Sequence, residues 1–429
     1  MSTVKQIKQS IIDKKGDRIF EYLYGAGNVD NQGKRYMDTI DGFCEYFGED
    51  VDVLVRLYTS PGRTEIGGNH TDHQHGCVLA GAADMDSLAV VCRRSDNIVR
   101  IKSTGYEEDE LDITDLEMKA DEADSSRAII RGILSRFVQL GYKIGGFNAY
   151  TTSNVIKASG LSSSAAFEVL VGTILNNEFN DGKISSVEIA QIGQYAENRY
   201  MGKPSGLLDQ MSCSVGGFVF IDFDNPEEPV IERIDYDFAH SGYTICVVDT
   251  GGNHSDLTPE YGKIPFEMKS VAAHFGKNVL RDVDEGEFYS SISELRKRYG
   301  DRAVLRSIHF FNENRRARLE ADALKRNDFD SFLTLVQESG DSSYKYLQNV
   351  FVGDNDSEQG IPVALCLSDK ILNGEGASRV HGGGFAGVIQ AFVPNEMVDE
   401  YEKNITAVFG TGSCTELVIR PVGGYEVKF

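Results

Sequence analysis

The sequence predicts an α+β protein of two domains, on three observations. At 429 residues it is longer than one domain usually runs. Strand-like segments recur up to residue 249, long helical segments take over after about residue 255, and strands return after residue 387. No repeat of 20–50 residues is present, and nine prolines make no long rigid linker. With 41% hydrophobic and 25% charged residues the chain has the composition of a globular protein. The expected division is an N-terminal extension over 1–33, a first domain over 34–225 and a second over 226–429.

The elements follow in order. Residues 1–33 read as helix plus a loop around Gly25–Asn28. Met37, Ile40, Phe43 and Phe47 give Arg35–Phe47 the spacing of a helix. Val51–Tyr58 alternates and is β-branched, a strand, and two more are expected at Ser87–Cys92 and Ile98–Ser103. Between Glu107 and Asp124 ten acidic residues face one lysine, Lys119, the composition of a solvated hairpin or loop. Arg127–Leu140 carries an apolar face through Ile130, Ile133, Leu134, Phe137 and Val138. A strand at Gly146–Ser153 leads into a glycine- and serine-rich turn and an apolar helix to about Leu175. Ser185 and Glu188 have the spacing of a capping box for the next helix, which places Glu197 on the shoulder of its stripe. Gly202–Gly206 breaks that helix and Leu207–Gln210 begins another turn. Strands are expected at Phe218–Phe223, Tyr243–Asp249, Gly387–Val393 and Thr415–Val422, with long helices at Val304–Lys325 and Phe332–Val350.

Charge and cysteine usage exclude several functions. The formal net charge of −23 repels the phosphates of nucleic acid and anionic membrane surfaces, while a small nucleotide can still be held locally by backbone amides. Seven scattered cysteines without a Cys-x-x-Cys pair argue against a disulfide framework or cysteine zinc site. The N-terminus carries no apolar secretory run, and no stretch of about 18 apolar residues occurs. A cytoplasmic protein is expected.

Four segments carry chemistry. Ser60–Gly76 gathers Arg63, Asn69, His70, Asp72, His73 and His75 directly after a strand. A metal could use the histidines, but a glycine-flanked loop gives them no rigid face. Hydrogen bonding to a polyhydroxylated ligand suits the same set better. In the second turn, Gly160-Leu161-Ser162-Ser163-Ser164, small residues and a helix start invite a phosphate. It is not a P-loop. Arg379–Gly387 formally contains Gly-x-Gly-x-x-Gly, but a strand follows and too little chain remains for a dinucleotide-binding domain. Last, Gly206–Gln210 adds an acid, Asp209, near the helix of the second turn.

Taken together and in this order, these motifs resemble the GHMP kinases, and among them the galactokinase family, from about residue 34 to the C-terminus. The resemblance implies an N-terminal domain like ribosomal protein S5, a ferredoxin-like C-terminal α/β sandwich, and an active site in the cleft between them. It implies ATP-dependent phosphorylation of a sugar's anomeric hydroxyl, with Mg²⁺, in a monomer or weak homodimer. Asp209 takes the place of the catalytic aspartate and Arg63 that of the arginine stabilising the transferring phosphoryl group. Asn69, His70, Asp72, Gly206 and Tyr261, with His254 nearby, match sugar contacts. Gly160, Leu161, Ser162, Ser163 and Ser164 match the ATP cradle, closed by Gly383 and Gly384. Ser164 and Glu197 match the magnesium ligands.

The departures concern specificity. Asn69 stands where galactokinases usually carry a glutamate, His73 replaces a tyrosine, Lys157 and Ala158 precede the phosphate turn, and Val380-His381 replaces Met-Thr. A neutral Asn69 with His70 and His73 nearby would tolerate a C6 carboxylate, so galacturonate is the alternative substrate. A non-catalytic sugar and ATP sensor is a second alternative, against which the intact serine turn, Glu197 and Asp209 count. A histidine-loop metallohydrolase is a third.

Overall fold

The computed structural model describes every residue except 156–159, 204, 253–256 and 354. Lys157, Ala158 and His254 therefore lie outside the described residues. Strands among the described residues fall into two sheets. The first contains β1 (Ser2–Thr3), β2 (Leu54–Gly67), β3 (Cys77–Arg93), β4 (Ile98–Ser103), β5 (Glu108–Asp112), β6 (Phe147–Ser153), β7 (Phe218–Asp222) and β8 (Val230–Ile234). The second contains β9 (Tyr243–Asp249), β10 (Ala377–Val380), β11 (Val388–Pro394) and β12 (Cys414–Leu417), in the order β10-β11-β9-β12. The last strand, β13 (Tyr425–Val427), returns to the first sheet and pairs with β2.

The long β2–β3 pair is the backbone of the first sheet, and both of its faces are covered. On one face lie α1 (Val4–Ile12), α2 (Asp17–Tyr24) and α3 (Val29–Phe47), where Phe20, Tyr24, Tyr36 and Phe43 pack with Val55, Leu57 and Leu88. Residues 1–33 thus belong to the core of this layer. On the other face lie α4 (Ser126–Gln139), α5 (Ser163–Phe179) and α6 (Ser186–Ala196), packed through Ile130, Ile133, Val169 and Ile192. Ser125 and Ser185 cap α4 and α6 by accepting the third backbone N–H of each. The short α7 (Leu208–Val215) follows.

Against the second sheet lie α11 (Phe329–Ser342), α12 (Gly360–Leu372) and α13 (Val398–Phe409), while α8 (Thr258–His274) and α9 (Glu285–Tyr299) pack on α10 (Asp301–Lys325) in an apolar cluster of their own. Helix α10 contacts β2, β3, β7 and β8 of the first sheet as well as α8 and α11, so it bridges the two halves.

Three departures from the sequence reading have local causes. The break expected between residues 225 and 226 falls inside the β7–β8 hairpin, whose strands pair from Phe218–Ile234 to Asp222–Val230. Strand β2 continues through Pro61-Gly62-Arg63 to Gly67, where a turn was read, because a register shift against β3 absorbs the irregular residues. The helix expected over Phe332–Val350 starts at Phe329 and is regular only to Ser342, then widens into a π turn over Ser343–Leu347. No described helix is long and apolar enough to cross a membrane.

Candidate active site

The bulge in β2 places Arg63. Gly62 lies so close to the phosphate turn that a Cβ there would come within 2.6 Å of the Leu161 carbonyl. The Arg63 N–H donates to that same carbonyl at 2.9 Å. The guanidinium then reaches the Asp209 carboxylate, with Nε and Nη2 at 2.8 and 2.7 Å from Oδ1, and donates through Nη1 to the Gly160 carbonyl. Burial works against the Arg63 charge, but Asp209 and Glu65 more than offset it and raise its pKa.

Asp209 sits in the first turn of α7, where the free amides favour an anion. Ser162 precedes α5 in a left-handed conformation (φ 55°), and its hydroxyl donates to Asp209 Oδ2. Left-handed backbone at a non-glycine residue costs energy, and here it aims a donor at the acid. The Asp209 side chain keeps 34% of its surface exposed, toward a cavity of 340 Å³. Arg63, Glu65, Asn69, Asp72, Gly206 and Gly383 are among its walls.

Of the sequence-derived site residues, Arg63, Asn69, His70, Asp72, Gly206, Asp209 and Gly383 line this cavity. His70 donates from Nε2 to the Gly383 carbonyl at 3.0 Å, and Gly206 lies against the Asp72 carboxylate. Burial raises the Asp72 pKa, with His70 opposing. Burial also holds His73 well below its usual value, so it is neutral near pH 7. Tyr261 is placed differently: its hydroxyl donates to the Gly384 carbonyl at 2.9 Å and its ring meets Phe385 edge-on, outside the cavity wall. Gly382 and Gly383 line the cavity, and Gly160 packs against the His381 ring.

Asn69 is buried and its amide is spent. Its Nδ2 donates to Glu65 Oε1 at 2.8 Å and to the Gly382 carbonyl at 2.7 Å, while its Oδ1 accepts from Asn349 Nδ2 at 2.8 Å. His309 fixes its backbone carbonyl at 2.9 Å. The carboxylate on this wall comes from Glu65, which pairs with the buried Arg379 at 3.0 Å. The sequence reading missed Glu65, Arg379, Asn349 and His309. An acid four residues before Asn69 in the same motif was the available signal for the first.

Below the phosphate turn, Glu197 lies buried on a π-helical turn after α6. Lys203 Nζ donates to its Oε1 at 2.6 Å and Gln210 Nε2 to its Oε2 at 2.9 Å. The same Gln210 nitrogen donates to Glu168 Oε2 at 2.9 Å. Burial and the adjacent Glu197 charge push the Glu168 pKa up to about 8. Ser164, exposed at the start of α5, lies one turn before Glu168. Hard oxygens with excess negative charge are the donor set that suits Mg²⁺. No described group of three or more His, Cys, Asp or Glu is arranged as a metal cluster, in the histidine loop or elsewhere.

The Arg63–Asp209 pair in the cavity wall, with Ser162 of the glycine- and serine-rich turn on the acid, is an arrangement that suits a small-molecule phosphotransferase. Residues 128–217 match the GHMP kinases N terminal domain, and the fold agrees with that of Methanococcus jannaschii mevalonate kinase (TM-score 0.61, 13% identity, 85% of this chain and 98% of that one). The chain has the GHMP kinase fold.

Residues 41–93 match the Galactokinase galactose-binding signature. Galactokinase from Glaesserella parasuis serovar 5 is 32% identical over 378 residues, covering 85% of this chain and 91% of the relative. Galactokinase from Streptomyces coelicolor is 29% identical over 375 residues, covering 86% and 91%. The structure of Lactococcus lactis galactokinase complexed with galactose superposes with a TM-score of 0.74 at 23% identity, covering 90% of this chain and 98% of that one. The chain belongs to the galactokinase family of sugar kinases.

Proposed function

We propose that the chain transfers the γ-phosphoryl group of ATP to the anomeric hydroxyl of galactose or a close galacto-configured sugar with an uncharged C6 group. One observation carries this reading: the Arg63–Asp209 pair stands in the cavity wall beside the start of α5. Asp209 accepts the proton of the anomeric hydroxyl. The transfer needs a nucleophile that is oriented more than one that is deprotonated beforehand. Arg63 balances the charge that gathers between the acid and the phosphoryl group. Gly160, Leu161, Ser162 and Ser163 hold the ATP phosphates with backbone amides at the positive end of α5. Ser164 and Glu197 would hold Mg²⁺, which neutralises phosphate charge when bound. His70, Asp72 and Gly206 orient the sugar, and Tyr261 supports the glycine loop behind it. The first sheet with its helices and the second sheet with its helices are the two domains of this reading. The seven cysteines are all free, which suits the reducing cytoplasm proposed for it.

The wall geometry favours the neutral sugar over galacturonate. Asn69 removes one carboxylate, but Glu65 supplies another in contact with it. Among the described residues of the wall there is no lysine, and its arginine, Arg63, is committed to Asp209. A C6 carboxylate would meet Asp72, Asp209 and the Arg379-paired Glu65, and no lysine or uncommitted arginine among the described wall residues would receive it. The test is an ATP-dependent panel of galactose, galacturonate and N-acetylgalactosamine, with the 1-phosphate identified by ³¹P NMR. We expect galactose to exceed galacturonate in kcat/KM by about 100-fold or more. Equal or better use of the acid would overturn this assignment, and no sugar phosphate at all would favour the sensor.

A further inference from the structure

The cluster under the phosphate turn holds one more carboxylate than the reaction as written uses. Glu168 is 1% exposed, and its Oε1 has no hydrogen-bond partner. Its Oε2 shares Gln210 Nε2 with Glu197 Oε2, both at 2.9 Å. An amide nitrogen carries two hydrogens, so one Gln210 side chain spends both on two glutamates. Helix α6 makes room for this contact at Gly193, where a Cβ would lie 3.1 Å from Glu168 Oε2 and 3.3 Å from Gln210 Cγ.

The three members sit on three segments that carry chemistry. Glu168 is on α5, one turn after Ser164, so the two share a face of the helix. Gln210 follows Asp209 in α7, and Glu197 begins the π turn that ends α6. Gln210 holds the Oε2 of the buried Glu197, and the half-exposed Lys203 meets its Oε1.

We propose that Glu168 is a positioning residue for the divalent-cation ligand Glu197, acting through Gln210, so that Glu197 Oε1 is the oxygen offered to the ion. The inference rests on the kinase reading above and on its assignment of Glu197 to the cation. What Glu168 contributes is an acceptor of fixed place, which pins one N–H of Gln210 so that the other points at Glu197. Shape and acceptor capacity are therefore the requirement. A glutamine at 168 meets it through its carbonyl oxygen, and an alanine does not. Lys203 competes for the offered oxygen.

The experiment measures Mn²⁺ binding to the full chain by EPR, in the presence of a non-hydrolysable ATP analogue, with thermal melts alongside. Glu168→Ala should weaken Mn²⁺ about 10-fold, as loss of an outer partner of a metal ligand does. Glu168→Gln should bind within about 3-fold of the parent, and Gln210→Leu should resemble Glu168→Ala. Lys203→Met should bind Mn²⁺ more tightly than the parent. A purely structural glutamate would move the melts and leave Mn²⁺ affinity in place. The proposal is overturned if Glu168→Ala and Gln210→Leu bind Mn²⁺ like the parent while Glu197→Gln does not. It is overturned equally if Glu168→Gln is as weak as Glu168→Ala, since charge would then be the requirement. If Glu168→Ala does not fold, Gln210→Leu and Glu168→Gln carry the comparison. Parent-like Mn²⁺ binding by Glu197→Gln would remove the cation assignment itself, a separable result.

Discussion

Two arginine–aspartate clusters flank strand β2, and they are built to opposite ends. In the first, Asp86 on β3 pairs with Arg35 of α3 at 2.6 Å and Arg420 of the C-terminal tail at 2.8 Å, and accepts from Tyr24 at 2.6 Å and from Thr59. The side chains of Asp86 and Arg420 are 0% exposed. In the second, Asp209 pairs with Arg63 and Ser162 but leaves a third of its surface to a cavity. The buried cluster ties the N-terminal helices, the central strands and the tail into one layer. The open pair has acceptor capacity left for a ligand. Equal chemistry thus reads as structure in one place and as function in the other, and the accessible oxygen makes the difference.

This contrast can be broken by two substitutions. Asp209→Asn should lower kcat by about 10²–10⁴-fold while the melting temperature stays near that of the parent, because the asparagine oxygen can still accept from Arg63 and the Gly160 carbonyl keeps accepting from its Nη1. Steady-state kinetics and a thermal melt on the same preparation check it. Asp86→Asn should do the reverse. It leaves two guanidiniums facing a neutral amide in the core, at a cost of about 3–5 kcal/mol in urea unfolding, while the kcat of the remaining folded enzyme is retained. If Asp86→Asn lost turnover at full stability, the division between the two clusters would be wrong.

The sequence made the open pair legible and the buried cluster illegible for one reason. Arg63, the serine turn and Asp209 each lie within a short motif whose residue types suit phosphate and sugar chemistry. Their meeting in space follows once the motifs are taken as one site. Asp86, Arg35 and Arg420 carry no such motif; Arg420 reaches Asp86 across 334 residues. The same holds for Arg379 on Glu65 and His309 on Asn69, which lie 314 and 240 residues apart. Alternation and helical spacing located the strands β6, β7 and β9 and the helices α3, α4 and α10. Nothing in a strand's own residues tells which sheet it joins, and β8 and β13, which pair with β7 and β2, were not read as strands at all. Asn69 shows the limit for specificity. Its replacement of a glutamate was visible, but the compensating Glu65 became meaningful only when the two side chains were seen in contact.

The comparison sharpens one step along β3, at Asp84. Its carboxylate accepts from the Val418 N–H of the tail at 2.9 Å, but unlike Asp86 it pairs with no arginine among the described residues. Loss of solvent raises its pKa to about 7, with the Asp86 charge adding and the Val418 N–H and Arg420 opposing. The sign follows from proton counts. Above pH about 4 the unfolded chain has released this proton, while the folded chain holds it until about pH 7. In that window the native state binds more protons, so the contribution of Asp84 is full below pH 4 and falls as the pH rises to 7. Asp84→Asn keeps an acceptor for Val418 and removes the titration. Relative to the variant, the parent should lose about 1–3 kcal/mol of unfolding free energy between pH 4 and pH 7 and little beyond, with turnover unchanged. Urea midpoints at pH 4, 5.5, 7 and 8 for both proteins measure it. A difference that stays flat across the window would mean that Asp84 is ionised in the folded chain, and that Arg420 serves it as well as Asp86.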